Sequence, residues 1–101
     1  NFNLIKRNCK KITYSRNIIK KKLKKLGLKC RSQFGNYVLI KFNNFEEASK
    51  VVKFLRKRLI YVKGPYTKPW DNYINISIGP IKVMKRFLSE LSKAKKRKLF
   101  N

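Results

Sequence analysis

The chain has 101 residues, no histidine and a formal net charge of +24, from 28 basic and 4 acidic residues. This length allows one domain with a modest core, and a hydrophobic content of 43% favours a folded domain over a disordered chain. The lack of histidine excludes Ser–His and Cys–His nucleophile pairs, four carboxylates leave little for acid–base catalysis, and no apolar run reaches the roughly 20 residues of a membrane span.

The first predicted element is an amphipathic helix from about Tyr14 to Leu26. Its apolar residues recur at helical spacing and lysines occupy most of the remaining positions, and Gly27 is a natural helix stop. The stretch "LKCRSQFG" links this helix to the next element and begins a short extended piece. The stretch "NYVLIKF", Asn36 to Phe42, is nearly continuously apolar, which predicts a central strand.

A second helix is predicted within "NNFEEASKVVKFLRKRL". Asn44 can cap it, and Glu47 follows three residues later in a capping-box arrangement. The apolar residues after the cap fall at i, i+3, i+4, i+7 and i+11, which is typical of a helix with one buried face. The stretch "LIYV" then predicts a second strand from Leu59 to Lys63.

The third strand is predicted in "YINISI", because Ile74, Ile76 and Ile78 alternate with polar residues. It follows a loop in which Gly64-Pro65 and Lys68-Pro69 exclude regular strand pairing. Pro80 suits the first position of a helix, and the apolar residues of "IKVMKRFLSEL" recur at helical spacing.

The predicted fold is therefore α+β: a two-layer domain with a three-stranded sheet, helices on one face, and the element order α-β-α-β-β-α. The domain is expected to span residues 1–94, followed by a basic and frayed tail over residues 95–101.

Two explanations account for the excess of positive charge. Lysine, asparagine and isoleucine have AT-rich codons, and 21 lysines outnumber 7 arginines, which favours codon bias. Codon bias does not explain the shortage of acidic residues, so a functional use of the charge stays open. Cys9 and Cys30 form neither a zinc motif nor a disulfide framework, and we interpret them as reduced thiols of a cytoplasmic protein.

The order and spacing of these stretches resemble the small C-terminal domain of fold-type-I pyridoxal-phosphate aminotransferases, particularly the histidinol-phosphate aminotransferase-like group. The resemblance covers nearly the whole chain and rests on "LKKLGLK", "GNYVLIKF", "IYVK", "YINISIG" and "MKRFLSEL". It implies that this chain is the C-terminal part of an enzyme that moves an amino group between an amino acid and a keto acid.

The resemblance also implies three substrate-binding positions. Asn75 stands where the family carries an arginine that holds the substrate's carboxylate, and Lys63 stands where it usually has a second arginine. Asn36 matches an asparagine at the start of the corresponding strand in the family. An asparagine is equally expected at this position simply as a turn residue before a strand. A guanidinium makes two parallel hydrogen bonds to a carboxylate. Asn75 has neither the positive charge nor this pair of donors.

The cofactor implied by the resemblance is pyridoxal phosphate, held in the family by a large domain that would precede Asn1. We therefore expect no catalytic residue, no metal site and no cofactor-binding residue in this chain, which alone should be catalytically incomplete. The implied parent would be a homodimer that acts on an amino acid and a keto acid, and no membrane contact is expected.

The alternative is a small basic RNA- or DNA-binding protein with an RNA-recognition-like α+β fold. Lys20–Lys22, Lys24-Lys25 and Lys95–Lys98 would then contact phosphates. Against this alternative, Phe34 and Tyr37 are three residues apart, so they would face opposite sides of one strand. The chain also ends in a predicted helix where that fold has a further strand.

Overall fold

A central strand pairs with a neighbour on each side to form an antiparallel sheet in the order β1-β2-β3. The computed structural model describes residues 2–31 and 36–101, and side chains from residue 13 onward within those ranges. The elements in chain order are α1 Phe2–Lys25, β1 Lys29–Arg31, β2 Tyr37–Lys41, α2 Phe45–Lys57, β3 Tyr73–Ser77 and α3 Ile81–Lys96.

One face of the sheet is buried beneath the helices. Val38 and Ile40 of β2, with Ile74 and Ile76 of β3, are at most 5% exposed, while the residues between them are half-buried or exposed. This alternation is the physical signature of a sheet with one covered face. The predicted two-layer α+β fold is therefore confirmed. The helices complete the core with residues that include Ile19, Leu23, Val51, Leu55, Phe87 and Leu91.

The predicted element order was wrong in one respect. The structure has the order α-β-β-α-β-α, because the third strand is β1 and not Leu59–Lys63. Of the segment 59–63, only Lys63 pairs with the sheet, through a single bridge to Asn75. α1 also begins at Phe2, twelve residues before the predicted start at Tyr14.

The end of each helix explains why residues 59–63 do not form a strand. The residue after each helix cap has a left-handed backbone: φ is 78° at Gly27, 62° at Leu59 and 60° at Lys98. The next residue then donates its N–H back into the helix, as Ile60 does to the Leu55 carbonyl at 2.9 Å. This is the Schellman arrangement, and after α2 it turns the chain at Leu59 instead of extending it.

The start of α2 is as predicted. The Asn44 side chain accepts a hydrogen bond from the Glu47 N–H at 2.9 Å, and the Glu47 carboxylate accepts one from the Asn43 N–H at 3.1 Å. The start of α3 differs slightly, because Pro80 occupies the N-cap position and not the first helical turn.

The last residues fold back onto the domain, which differs from the expected frayed tail over residues 95–101. α3 continues to Lys96, and Phe100 is only 2% exposed. The Phe100 ring meets the Phe42 ring edge to face, with 5.3 Å between centroids. The Asn101 N–H donates to the Glu47 carboxylate at 3.2 Å.

Among the described residues, no helix is long and apolar enough to span a membrane. The described sheet has three strands, whereas an RNA-recognition domain has four, so the fold does not support that alternative. Phe34, and the side chain of Cys9, lie outside the described residues.

Candidate functional site

The sheet face that the helices leave uncovered, here called the open face, collects the polar residues of the strands. Antiparallel register places Lys29 and Arg31 of β1 on the same face as their β2 partners Lys41 and Leu39. Every second residue of β2 and β3 also lies on this face, as does Lys63 through its bridge to Asn75. The residues of the open face are Lys29, Arg31, Tyr37, Leu39, Lys41, Lys63, Tyr73, Asn75 and Ser77.

Asn75 and Lys63 lie opposite each other at the β3 edge of the open face. The Lys63 N–H donates to the Asn75 carbonyl at 2.9 Å, and the Asn75 N–H donates to the Lys63 carbonyl at 2.8 Å. Directly opposed residues of an antiparallel pair project to the same face, so the two side chains are neighbours. Strand alternation predicted this orientation for Asn75, away from the isoleucines of β3.

The side chain of Asn75 carries an unused hydrogen-bond acceptor. Asn75 is half-buried, and among the described residues no donor reaches its buried Oδ1. A buried acceptor without a partner is costly, so this oxygen favours a ligand that donates an N–H or O–H. The exposed Lys63 ammonium supplies a positive charge at the same place.

Asn36 does not join this pair. Its side chain is exposed, and its backbone carbonyl accepts a hydrogen bond from the Ile78 N–H at 2.6 Å. Asn36 is therefore level with Ile78, three residues from Asn75 along β3, or about 10 Å at the rise of a strand. The structure brings together two of the three predicted positions, Asn75 and Lys63.

A second feature of the sheet was missed in the sequence: a groove of about 600 Å³ beside its β1 edge. α1 contributes Lys20 and Lys24 to this groove, which we call the β1 groove, and the strands contribute further cations. Its lining residues are Lys20, Lys24, Leu28, Lys29, Cys30, Arg31, Lys41 and Tyr73. The lysine runs of α1 could be seen in the sequence. Their position beside β1 depends on how α1 packs against the sheet, which no local sequence pattern predicts.

Cys30 is a poor candidate for a nucleophile in this groove. Burial raises the pKa of its thiol, and the positive charge of Lys20 offsets this only in part. Because the reactive form of cysteine is the thiolate, a raised pKa leaves Cys30 mostly protonated at neutral pH. Its position beside Ile40 and the core explains it as a small apolar residue.

The four carboxylates of the chain lie in the described part and are used elsewhere or lie apart from the open face. Glu46 pairs with Lys50, Glu47 caps α2, and Asp71 lies in the loop before β3. A hydrogen bond from Lys93, together with the charges of Lys93 and Arg58, lowers the pKa of Glu90. The described residues contain no cluster able to hold a metal ion.

These residues do not fit pyridoxal phosphate. The aminotransferase family that the sequence resembles pairs the pyridinium nitrogen of this cofactor with an acidic side chain, near the lysine that binds its aldehyde. No carboxylate lines the β1 groove or the open face. We therefore derive no catalytic step from this chain's own residues.

No family model and no curated protein matches this chain. Its fold, however, is similar to part of several solved aminotransferases. A histidinol-phosphate aminotransferase from Sinorhizobium meliloti, solved with pyridoxal-5'-phosphate, matches 96% of this chain with a TM-score of 0.87 and 22% identity. An aromatic aminotransferase from Pyrococcus horikoshii matches 97% of it with a TM-score of 0.76 and 15% identity.

A third similar structure has a higher identity. A protein from Burkholderia pseudomallei that is described as an aminotransferase matches 82% of this chain with a TM-score of 0.68 and 28% identity. The matched region covers only 27%, 28% and 25% of the Sinorhizobium, Pyrococcus and Burkholderia chains, respectively. The chain thus has the fold of a segment that makes up about a quarter of these aminotransferases.

Proposed function

We propose that this chain is the C-terminal small domain of a pyridoxal-phosphate-dependent aminotransferase, and that it forms the substrate-carboxylate side of the cleft. The observation that carries this proposal is the match of 96% of the chain, at a TM-score of 0.87, to a quarter of a histidinol-phosphate aminotransferase. The parent would transfer an amino group between an amino acid and a keto acid. The cofactor would be held by a preceding large domain, and the parent would be a homodimer.

The Asn75–Lys63 pair is the proposed contact with the substrate. The Lys63 ammonium attracts a carboxylate as a point charge, and the Asn75 amide donates one neutral hydrogen bond. An arginine at position 75 would instead offer two charge-assisted hydrogen bonds, each worth about 1.5–3 kcal/mol. The Asn75–Lys63 pair therefore binds a carboxylate weakly. The unpaired Asn75 Oδ1 favours a substrate that also carries a hydrogen-bond donor.

The first experiment tests for the parent protein itself. The transcript that encodes Asn1 is sequenced upstream, and the product is detected by mass spectrometry. We expect an in-frame large domain that contains a lysine in a loop at a strand end. A start codon directly before Asn1, with no longer product detected, would overturn the proposed parent enzyme.

The second experiment tests the role of Asn75 in that parent. Asn75→Arg should raise kcat/KM for an amino-acid donor by at least about ten- to a hundredfold, the gain from one charge-assisted hydrogen bond. Ser77→Arg is the matched control: it adds the same charge on the same face of β3, two residues from Asn75. Equal gains in the two variants, or no gain in either, would refute the assigned role of Asn75.

A further inference from the structure

The β1 groove concentrates positive charge that the proposed aminotransferase role does not use. Of the eight described residues that line it, five are lysine or arginine and none is acidic. Two of these cations come from α1, two from β1 and one from β2, so the fold brings together charges that are up to 21 positions apart in the chain. The five cations lie on α1, β1 and β2, whereas the Asn75–Lys63 pair lies at the opposite, β3 edge of the sheet; Tyr73 of β3 is the part of the groove nearest to that pair.

One aromatic residue lines this groove, and a second aromatic ring contacts it from outside the groove. Tyr73 lines it beside Lys41, its partner in the β2–β3 register. The Trp70 ring meets Tyr73 edge to face, with 5.5 Å between centroids, and Trp70 is 55% exposed. An exposed ring next to a line of cations is the arrangement by which proteins bind single strands: the cations follow the phosphates and a base stacks on the ring.

We propose that the β1 groove binds single-stranded nucleic acid, with phosphates at its lysine and arginine side chains and a base against Trp70 and Tyr73. The volume of about 600 Å³ and five cations exceed what one phosphate requires. Duplex nucleic acid keeps its bases stacked inside the helix, so only a single strand can use the aromatic end. This function is additional to the aminotransferase role and uses different residues.

The opposing explanation is that a chain with a net charge of +24 attracts any polyanion. The two explanations differ in where the charge acts. Under the proposal, only the cations of the β1 groove contribute to the binding of the nucleic acid and to its salt dependence. Under general attraction, any three exposed cations contribute equally, and three on the outer side of α2 are suitable for comparison: Lys53, Arg56 and Lys57.

The experiment compares two triple variants of this chain. One carries Lys29→Gln, Arg31→Gln and Lys41→Gln in the groove; the control carries Lys53→Gln, Arg56→Gln and Lys57→Gln on α2. Both lose three charges, and circular dichroism checks that both are folded. The probe is a fluorescein-labelled oligouridylate of about 12 nucleotides, a length within the range of known single-strand sites. An oligothymidylate of equal length distinguishes RNA from DNA.

Binding is measured by fluorescence anisotropy over a range of salt concentrations. The groove variant should flatten the log–log salt dependence by about 2, at roughly 0.7 per phosphate contact on a single strand, and the α2 control should leave it unchanged. Equal flattening in both variants would overturn the proposal and leave only general attraction. So would binding without saturation at one strand per chain.

A second measurement uses Trp70, the single tryptophan of the chain. A stacked base should quench its fluorescence in proportion to occupancy, and a duplex of the same sequence should quench it far less. Trp70→Leu should weaken the oligouridylate complex about five- to a hundredfold, the range measured for loss of one stacked base. Tyr61→Leu, an aromatic residue that is 70% exposed elsewhere, should not weaken it. Unchanged fluorescence on saturation, or equal losses in both variants, would refute stacking at this site.

Discussion

Phe100→Ala tests whether the end of the chain belongs to the folded domain. The Phe100 side chain is 2% exposed and lies edge to face on Phe42. A buried phenylalanine removes about 150–250 Å² from water, which at roughly 25 cal/mol per Å² gives about 4–6 kcal/mol as an upper bound. Its neighbours near a chain terminus can relax into the space, so we expect a loss of about 3 kcal/mol, the low end for such substitutions.

That loss is a large part of the stability of a domain of this size, which is about 5–15 kcal/mol. The assay is urea unfolding followed by Trp70 fluorescence, with the slope m compared between variants. Val83→Ala on α3 is the control, because Val83 is 54% exposed and its truncation should change stability by less than about 0.5 kcal/mol. A loss below about 1 kcal/mol for Phe100→Ala would mean that residues 95–101 behave as the frayed tail expected from the sequence.

Three further predictions address the turn after α2, the ion pairs of α3 and the cofactor. Leu59→Gly should stabilise the chain by about 0.5–1 kcal/mol in urea unfolding, because leucine is strained at φ 62° and this side chain is 71% exposed; a loss of stability would contradict the backbone assignment. Glu90→Gln should reduce the acid sensitivity of the chain. The folded pKa of Glu90 is lowered by Lys93 and Arg58, so the unfolded state binds the proton more tightly. The stabilisation is then present above the ordinary glutamate pKa and lost as pH falls below it, and identical acid unfolding curves would refute this. Pyridoxal phosphate fixed to the chain with borohydride should label several exposed lysines non-selectively, whereas one lysine labelled one to one would reveal a cofactor site.

Local signals in the sequence predicted the elements that depend on neighbouring residues. Asn44 and Glu47 form the cap of α2 because their hydrogen bonds reach only three or four residues. Ile74 and Ile76 of β3 face the core because strand alternation is fixed by the backbone. The same alternation placed Asn75 on the open face, so the orientation of this candidate site residue could be predicted without coordinates.

The features that were missed depend on competition between distant parts of the chain. Residues 59–63 have the composition of a strand, yet Leu59 adopts a left-handed backbone conformation that turns the chain. Leucine rarely adopts this conformation, so the sequence does not predict the turn. β1 has only three residues, too few for an alternating pattern, and exists because it pairs with β2. The β1 groove could not be predicted for the same reason, since it requires Lys20 and Lys24 of α1 to lie beside that strand.

The outer edge of β1 bears on whether this chain aggregates. An uncovered strand edge offers free backbone N–H and C=O groups, which a second copy can extend into a larger sheet. Here that edge is only three residues long and carries Lys29 and Arg31, so a second copy would have to place like charges together. The short, cationic edge acts as a gatekeeper against edge-to-edge association. Replacing both residues with valine would remove this repulsion between like charges and make edge-to-edge association of two copies more favourable.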